Sequence, residues 1–247
     1  MRKIFFFIIL LALWQVSGFL NPDIVNLISK PTEIVLSLWQ LIIEGIIFID
    51  ILASLQRVLV GFCSAAIIAV ILALFSGYFK SFGYYLKPLV EILRPIPPIA
   101  WIPIAILLFG LGDPSAYFIV FIGAFFPIFT NTYFGVISMP EIYKNVARSF
   151  EIKNSIFLTK ILFFYSLPYI FTGLKIGIGM AWMSVIAAEL IGAQSGLGYF
   201  IQLNRLLLRM DNVILGMILI GLIGFLLSKT LSFAEKMAMP WVKKIIC

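Results

Sequence analysis

Between Leu86 and Gly110 the chain is apolar enough to cross a bilayer, yet Pro88, Pro95, Pro97, Pro98 and Pro103 interrupt it and Arg94 charges it. No unbroken helix is expected from such a pattern. Each proline removes a backbone donor and crowds the carbonyl four residues earlier. In hydrocarbon, an unsatisfied carbonyl is tolerated only where protein or a water-filled cavity satisfies it. Interrupted helices of this kind mark pathways through transporters more often than anchors. The stretch from Arg94 to Pro103, with Pro97, Pro98 and Trp101 inside it, is therefore a candidate lining of a solute route.

The rest of the chain agrees with a membrane setting. Hydrophobic residues make up 62% of it and charged residues 12%, and the mean hydropathy is +1.12. At 247 residues, with apolar runs throughout, the whole chain 1–247 reads as a single transmembrane domain without a separate soluble one. There is no histidine, which removes the commonest general base and zinc ligand. No phosphate-cradling G-x-x-x-x-G-K-[ST] loop is present either. Cys63 and Cys247 offer neither a disulfide framework nor metal-ligand spacing.

The pattern predicts an all-α bundle of six spans. The first runs from Ile4 to Leu20 behind Arg2 and Lys3, and reads either as an uncleaved anchor or as a signal peptide ending at Val16-Ser17-Gly18. The second covers Ile51 to Tyr78 and the third is the proline-broken segment. The others cover Ser115 to Ile137, Pro168 to Gly192 and Val213 to Phe233. Before the second, Pro31 to Phe48 places Ile34, Leu38, Leu41, Ile42 and Ile46 on one face, as in an amphipathic helix lying on the membrane surface.

Charge orients the bundle. With the N-terminus inside, one side collects Lys80, Lys87, Lys144, Arg148, Lys153, Lys160 and the terminal cations, while the other mixes Lys30, Arg57, Arg205 and Arg209 with acids. The positive-inside rule then places both termini in the cytoplasm. On that side the largest connection, Met139 to Pro168, contains a short amphipathic helix. Ile142, Val146 and Phe150 fall four apart, surrounded by Glu141, Lys144, Asn145, Arg148 and Ser149. Such a helix either rests on lipid headgroups or docks against a partner.

The run from Met139 to Glu151, followed by Ser166-Leu167-Pro168 and Thr172-Gly173-Leu174-Lys175, resembles the EAA loop of ABC-importer permeases. Around it, Arg94-Pro95-Ile96-Pro97-Pro98, the segment from Phe125 through Asn131 to Thr132, Ala181-Trp182, Ala187-Ala188-Glu189 and Gly196-Leu197-Gly198-Tyr199 resemble the branch handling nitrate, sulfonates and taurine. The resemblance implies a permease subunit of the bacterial cytoplasmic (inner) membrane. It implies a homodimer of permeases, a cytoplasmic ABC ATPase and an extracytoplasmic solute-binding protein. No cofactor is expected in this chain; ATP and Mg would belong to the ATPase. The loop over 139–168 would dock the ATPase through Ile142, Val146 and Phe150, with Lys144 and Arg148 at the rim. The resemblance adds Asn131, Trp182 and Glu189 to the candidate route.

The loop departs from the family pattern. The family's glutamate, alanine, alanine and glycine fall on Asn145, Val146, Ala147 and Glu151. That glycine permits a left-handed turn, so Glu151 should strain the turn or let the helix run on. Within the fifth span, Lys175 near the inner end is expected to snorkel. Glu189 is either a boundary acid or a pathway and hydrogen-bonding group. Arg57 is expected as an interfacial anchor. Gly173, Gly177, Ala181 and Ala188 should let helices approach closely. The reading is a solute permease, carrying an anion such as nitrate or a sulfonate, or a cofactor precursor such as a pyrimidine. An integral-membrane enzyme lacks support without histidines or clustered acids at one face, and an ion channel lacks a repeated filter motif.

Overall fold

A computed structural model describes residues 5, 9, 12–16 and 29–241. The expected first span and its cleavage site lie largely outside these residues. Within them the chain is helical and contains no strand. Helix α1 is Pro31–Glu44, α2 Ile46–Tyr78 and α3 Lys80–Leu93. A 3-10 turn, Pro98–Trp101, leads into α4, Ile102–Phe109. Then come α5, Asp113–Ile137, and α6, Glu141–Ser149. Helix α7 is Asn154–Gly192, with a π-helical stretch at Phe157–Leu162. Helices α8, Leu197–Leu206, and α9, Met210–Ala238, complete the chain.

Among the described residues, α2, α5, α7 and α9 are long and apolar enough to cross a membrane. The proline-broken segment is a bent pair, α3 and the 3-10 turn with α4, meeting at 94°. Counting that pair as one span raises the total to five. At about 1.5 Å per residue, the eight-residue α4 is roughly 12 Å long and cannot cross alone. The prolines explain the geometry. Pro97 is extended at φ −64° and ψ 143°, Pro98 opens the 3-10 turn and Pro103 sits in the first turn of α4. At such starts the missing N–H has no intrahelical partner to lose. Pro88 alone lies inside α3.

Helix α1 ends at Glu44, short of the expected Phe48, because Gly45 adopts φ 74° and closes it in the left-handed conformation, and Ile46 already belongs to α2. Its packed face is Ile34, Ser37 and Leu41. Ile42, expected on that face, is exposed with Val35, Leu36, Trp39 and Ile43, so the helix is apolar well beyond one stripe.

The described chain forms two compact units. One comprises Met1–Gln56 with Ile186–Ile223, the other Arg57–Val185 with Gly224–Cys247. In the second, α5 is the packing centre, with Ile119, Val120, Ala124, Ile128 and Phe129 buried. Glycines let other helices reach it. A Cβ on Gly61 or Gly77 of α2 would lie 2.6 or 2.3 Å from Val120 or Val136, and one on Gly177 of α7 would lie 2.8 Å from Ile128. Along α5, Phe121, Phe125, Phe129 and Tyr133 stack in turn at 5.5, 5.9 and 5.9 Å, one helical turn apart. Arg57, expected at the interface, is buried and bound to Asp113, Nε to Oδ1 at 2.7 Å. Lys175, expected to snorkel, is half-buried and pairs with Glu235 of α9, Nζ to Oε2 at 2.8 Å.

Helix α3 turns tightly against the end of α2, since a Cβ on Gly83 would lie 2.3 Å from the Ser76 carbonyl oxygen. Gly83→Ala is therefore expected to destabilise the folded chain by about 1–3 kcal/mol. Gly179→Ala, at a glycine with open space around it, should leave stability equal or slightly raised. Unfolding midpoints of the two variants in detergent would separate them, and equal midpoints would contradict this packing.

Candidate functional site

Pro140 caps α6 with φ −59° and ψ 141°, so the chain enters the helix from an extended residue. Across α6 the expected stripe points away from its own unit: Ile142, Val146 and Phe150 are 62%, 47% and 76% exposed. Ala147 does the opposite. It is 5% exposed and packs with Val136, Met139, Phe157 and Leu162 in a small core beneath the loop. Aromatic contacts brace this arrangement. Tyr143 lies 5.7 Å from Tyr165 between ring centres, the Tyr165 hydroxyl donates to the Ser138 carbonyl at 3.2 Å, and the Tyr78 hydroxyl donates to Asn154 Oδ1 at 3.0 Å.

The turn after α6 keeps the left-handed geometry despite its glutamate. Glu151 sits at φ 50°, its N–H donates to the Arg148 carbonyl at 2.9 Å, and the Ile152 N–H donates to the Ala147 carbonyl at 3.0 Å. This pair of bonds is the Schellman closure, normally made around glycine. A residue with a Cβ in that conformation costs roughly 1–2 kcal/mol, so the helix stops and the turn is strained. Asn145 and Arg148 are exposed around the stripe, while Lys144 is half-buried and lines a cavity.

In the other unit, two motifs that lie apart in sequence meet at the N-terminus of α8. Glu189 is 1% exposed, and both its carboxylate oxygens accept from the Ser54 hydroxyl, at 2.8 and 2.9 Å. The Gly198 N–H donates to Glu189 Oε2 at 2.9 Å, the Leu197 N–H to Ser54 Oγ at 2.9 Å, and the Gly196 N–H to Asp50 Oδ1 at 2.8 Å. A helix N-terminus leaves its first N–H groups without intrahelical partners and carries partial positive charge. Two carboxylates and a hydroxyl from α2 and α7 satisfy both demands. Gly198 must lack a side chain here, because a Cβ would lie 2.6 Å from the Ile186 carbonyl oxygen and 2.7 Å from Glu189 Cβ. Ser54 and Asp50 escaped the sequence reading. Their signal was present as two polar residues one helical turn apart in an apolar helix.

The candidate route residues are dispersed. Arg94 is exposed just after α3 and lines a cavity of about 200 Å³ with Phe129, Thr130 and Tyr133 of α5. Pro97 and Pro98 form the bend. Trp101 lies edge-on to Phe118 at 6.5 Å, and its indole N–H has no hydrogen-bond partner among the described residues. Asn131 donates to the Pro127 carbonyl at 2.8 Å, one turn back along α5. Trp182 is buried, with Gly224 of α9 against its indole ring. Glu189 is committed to the start of α8.

Comparison with known proteins adds an independent finding. Residues 65–244 match the family described as "Binding-protein-dependent transport system inner membrane component". The chain is 37% identical to the nitrate import permease protein NrtB of Leptolyngbya laminosa, over 95% of this chain and 86% of that one. It is 39% identical to the bicarbonate transport system permease protein CmpB of Synechococcus elongatus, over 77% and 69%. A Bacillus subtilis chain named for aliphatic sulfonates transport, SsuC, is 31% identical over 94% and 84%.

Two substitutions test the local geometry. Glu189→Ala should lower stability by about 3 kcal/mol, because a buried hydroxyl and an N–H lose their acceptor. Glu189→Gln, which keeps an acceptor oxygen, should lose less. Glu151→Gly should instead raise stability by about 1 kcal/mol by relieving the left-handed strain. Reversible unfolding in mixed micelles measures all three, and a Glu189→Ala variant as stable as the parent would refute the capping role.

Proposed function

The chain belongs to the binding-protein-dependent transport system inner membrane components, and from that premise we propose how its parts serve transport. It is a membrane permease of an ABC importer. Its cargo, in this proposal, is a small anion of the nitrate, bicarbonate or sulfonate kind. Relatives named for each of these support that choice. So does Arg94 at the bend of α3 and α4, since an anion crossing a low-dielectric region needs compensating positive charge.

The observation that carries the mechanism is the exposed stripe of α6. Three large apolar side chains at four-residue spacing stand outward from a helix whose inner face, at Ala147, is already packed. We assign the stripe to an ATPase groove, with Asn145 and Arg148 around it. The Schellman closure at Glu151 fixes where the docking helix ends and so sets the angle of the chain running back to α7. ATP and Mg bind the partner ATPase, because this sequence has no phosphate-binding loop. Closure of the ATPases pushes α6, and through it the helices beneath.

The working assembly is two permease copies, two ATPases and an extracytoplasmic solute-binding protein. Each permease is one transmembrane domain of six spans in the cytoplasmic membrane, with both termini and residues 139–168 in the cytoplasm. The route runs past the bend of α3 and α4. There the backbone between the two helices, outside regular helix, faces water or the second copy instead of lipid.

Phe150→Ala and Val146→Asp are expected to leave membrane yield unchanged while uncoupling the complex. Truncating a buried aromatic anchor costs an interface about 2 kcal/mol, roughly a thirtyfold weaker complex. A buried unpaired aspartate costs more. Copurified ATPase and solute-stimulated ATP hydrolysis, measured together, decide it. Both undiminished in both variants would remove the docking assignment.

A further inference from the structure

In the second unit, a cavity of about 710 Å³ opens between α2, α3, α5 and α6. Lys80, Lys87 and Lys144 line it, with Tyr84, Tyr85 and Tyr133. The acid among its lining residues, Glu91, lies 3.6 Å from Lys87, one turn away on α3. Lys80 and Lys144 have no carboxylate within ion-pair distance among the described residues. Three ammonium groups against one carboxylate leave an excess positive charge in a concave site that also offers hydroxyl donors. The size falls in the range of ligand-binding cavities.

The position of the cavity narrows the ligand. Its wall includes the last turns of the apolar α2, at Ser76 and Gly77, and the first turns of α3. Tyr84 and Tyr85 are strongly exposed, and so are Phe79 and Phe82 beside them. Aromatic residues clustered with lysines at the end of an apolar helix mark the membrane–water interface. Basic pockets between helices at that level hold phosphate headgroups. The floor is rigid, because Gly77 and Gly83 pack too closely on Val136 and Ser76 to accept a side chain. Lys144 lies two residues from both Ile142 and Val146, which places it on the side of α6 roughly opposite the stripe.

We propose that this cavity binds a phosphate-type oxyanion, carried on the headgroup of an anionic membrane lipid or free in the water beside it. Lys80 and Lys87 reach it from α3 and Lys144 from α6. A bound anion therefore ties the loop helix to the end of α2 and the start of α3. The site is distinct from the outward stripe, and its occupancy is measurable without any ATPase.

The test uses the full chain, delipidated in a neutral detergent. Phosphatidylglycerol and inorganic phosphate are titrated separately, and bound lipid is followed by native mass spectrometry and bound phosphate by radiolabel. Removing an ammonium group near the membrane surface weakens such binding about fivefold, so Lys80→Gln with Lys144→Gln should weaken it roughly thirtyfold. Lys160→Gln, outside the cavity, should have no effect, and arginine at both cavity positions should retain binding. Saturable phosphatidylglycerol binding that phosphate does not displace identifies a lipid headgroup. Equal binding of phosphate alone identifies a free anion. If the double variant does not fold, Lys80→Gln alone is measured across ionic strength, where binding should weaken as salt rises. Binding that is absent from the parent, or is equal in parent and lysine variants and insensitive to salt, overturns the proposal.

Discussion

A backbone N–H or C=O left unpaired in hydrocarbon costs several kcal/mol, and much of this architecture answers that single demand. Where α8 begins, the demand is met from other helices, by Glu189, Ser54 and Asp50. At the bend between α3 and α4 it is avoided, because prolines occupy starts that need no donor. The same rule thus produces a buried carboxylate and a near-perpendicular break, while the end of α6, on an exposed loop, still pairs its last carbonyls within the turn around Glu151.

Glu189 shows why a buried acid in an apolar helix need not be a transport residue. Its partners include the Ser54 hydroxyl and the Gly198 N–H, so its charge is compensated by the start of α8 and by hydrogen bonds. Lys175 and Glu235 solve the same problem by pairing directly at 2.8 Å, and Arg57 with Asp113 does so again. In each case the polar group joins two helices.

Much of the fold was legible because period and length dominate in an apolar chain. The helices α2, α5, α7 and α9 follow their hydropathy, and the prolines from Pro95 to Pro103 marked the break, while Pro88 is carried inside α3. The exposed stripe of α6 followed from residues four apart. What periodicity could not reveal was partnership across distance. Nothing adjacent to Glu189 in sequence announces Ser54, 135 residues away, or the N–H groups of α8. Likewise, the burial of Arg57 depends on where α5 begins. The Glu151 turn was legible as a conflict but not in its outcome, since strain and helix extension were both open until the Ile152 N–H was seen bonded to Ala147.

The π-helical stretch at Phe157–Leu162 makes the loop's orientation a matter of helical phase. Each turn of this kind holds one residue more than an α-turn, and one residue in an α-helix is worth about 100° of rotation. Because such a turn sweeps the same full circle with that one residue more, deleting a single residue within Phe157–Leu162 would let α7 run as an ordinary helix and keep the loop before it in phase. The same deletion in the α-helical part of α7 would instead turn everything before it by roughly a quarter circle, and the stripe of α6 would then face a different direction with every local contact in its own helix intact. The six-residue stretch is thus a place where the chain can shorten by one residue without re-aiming α6.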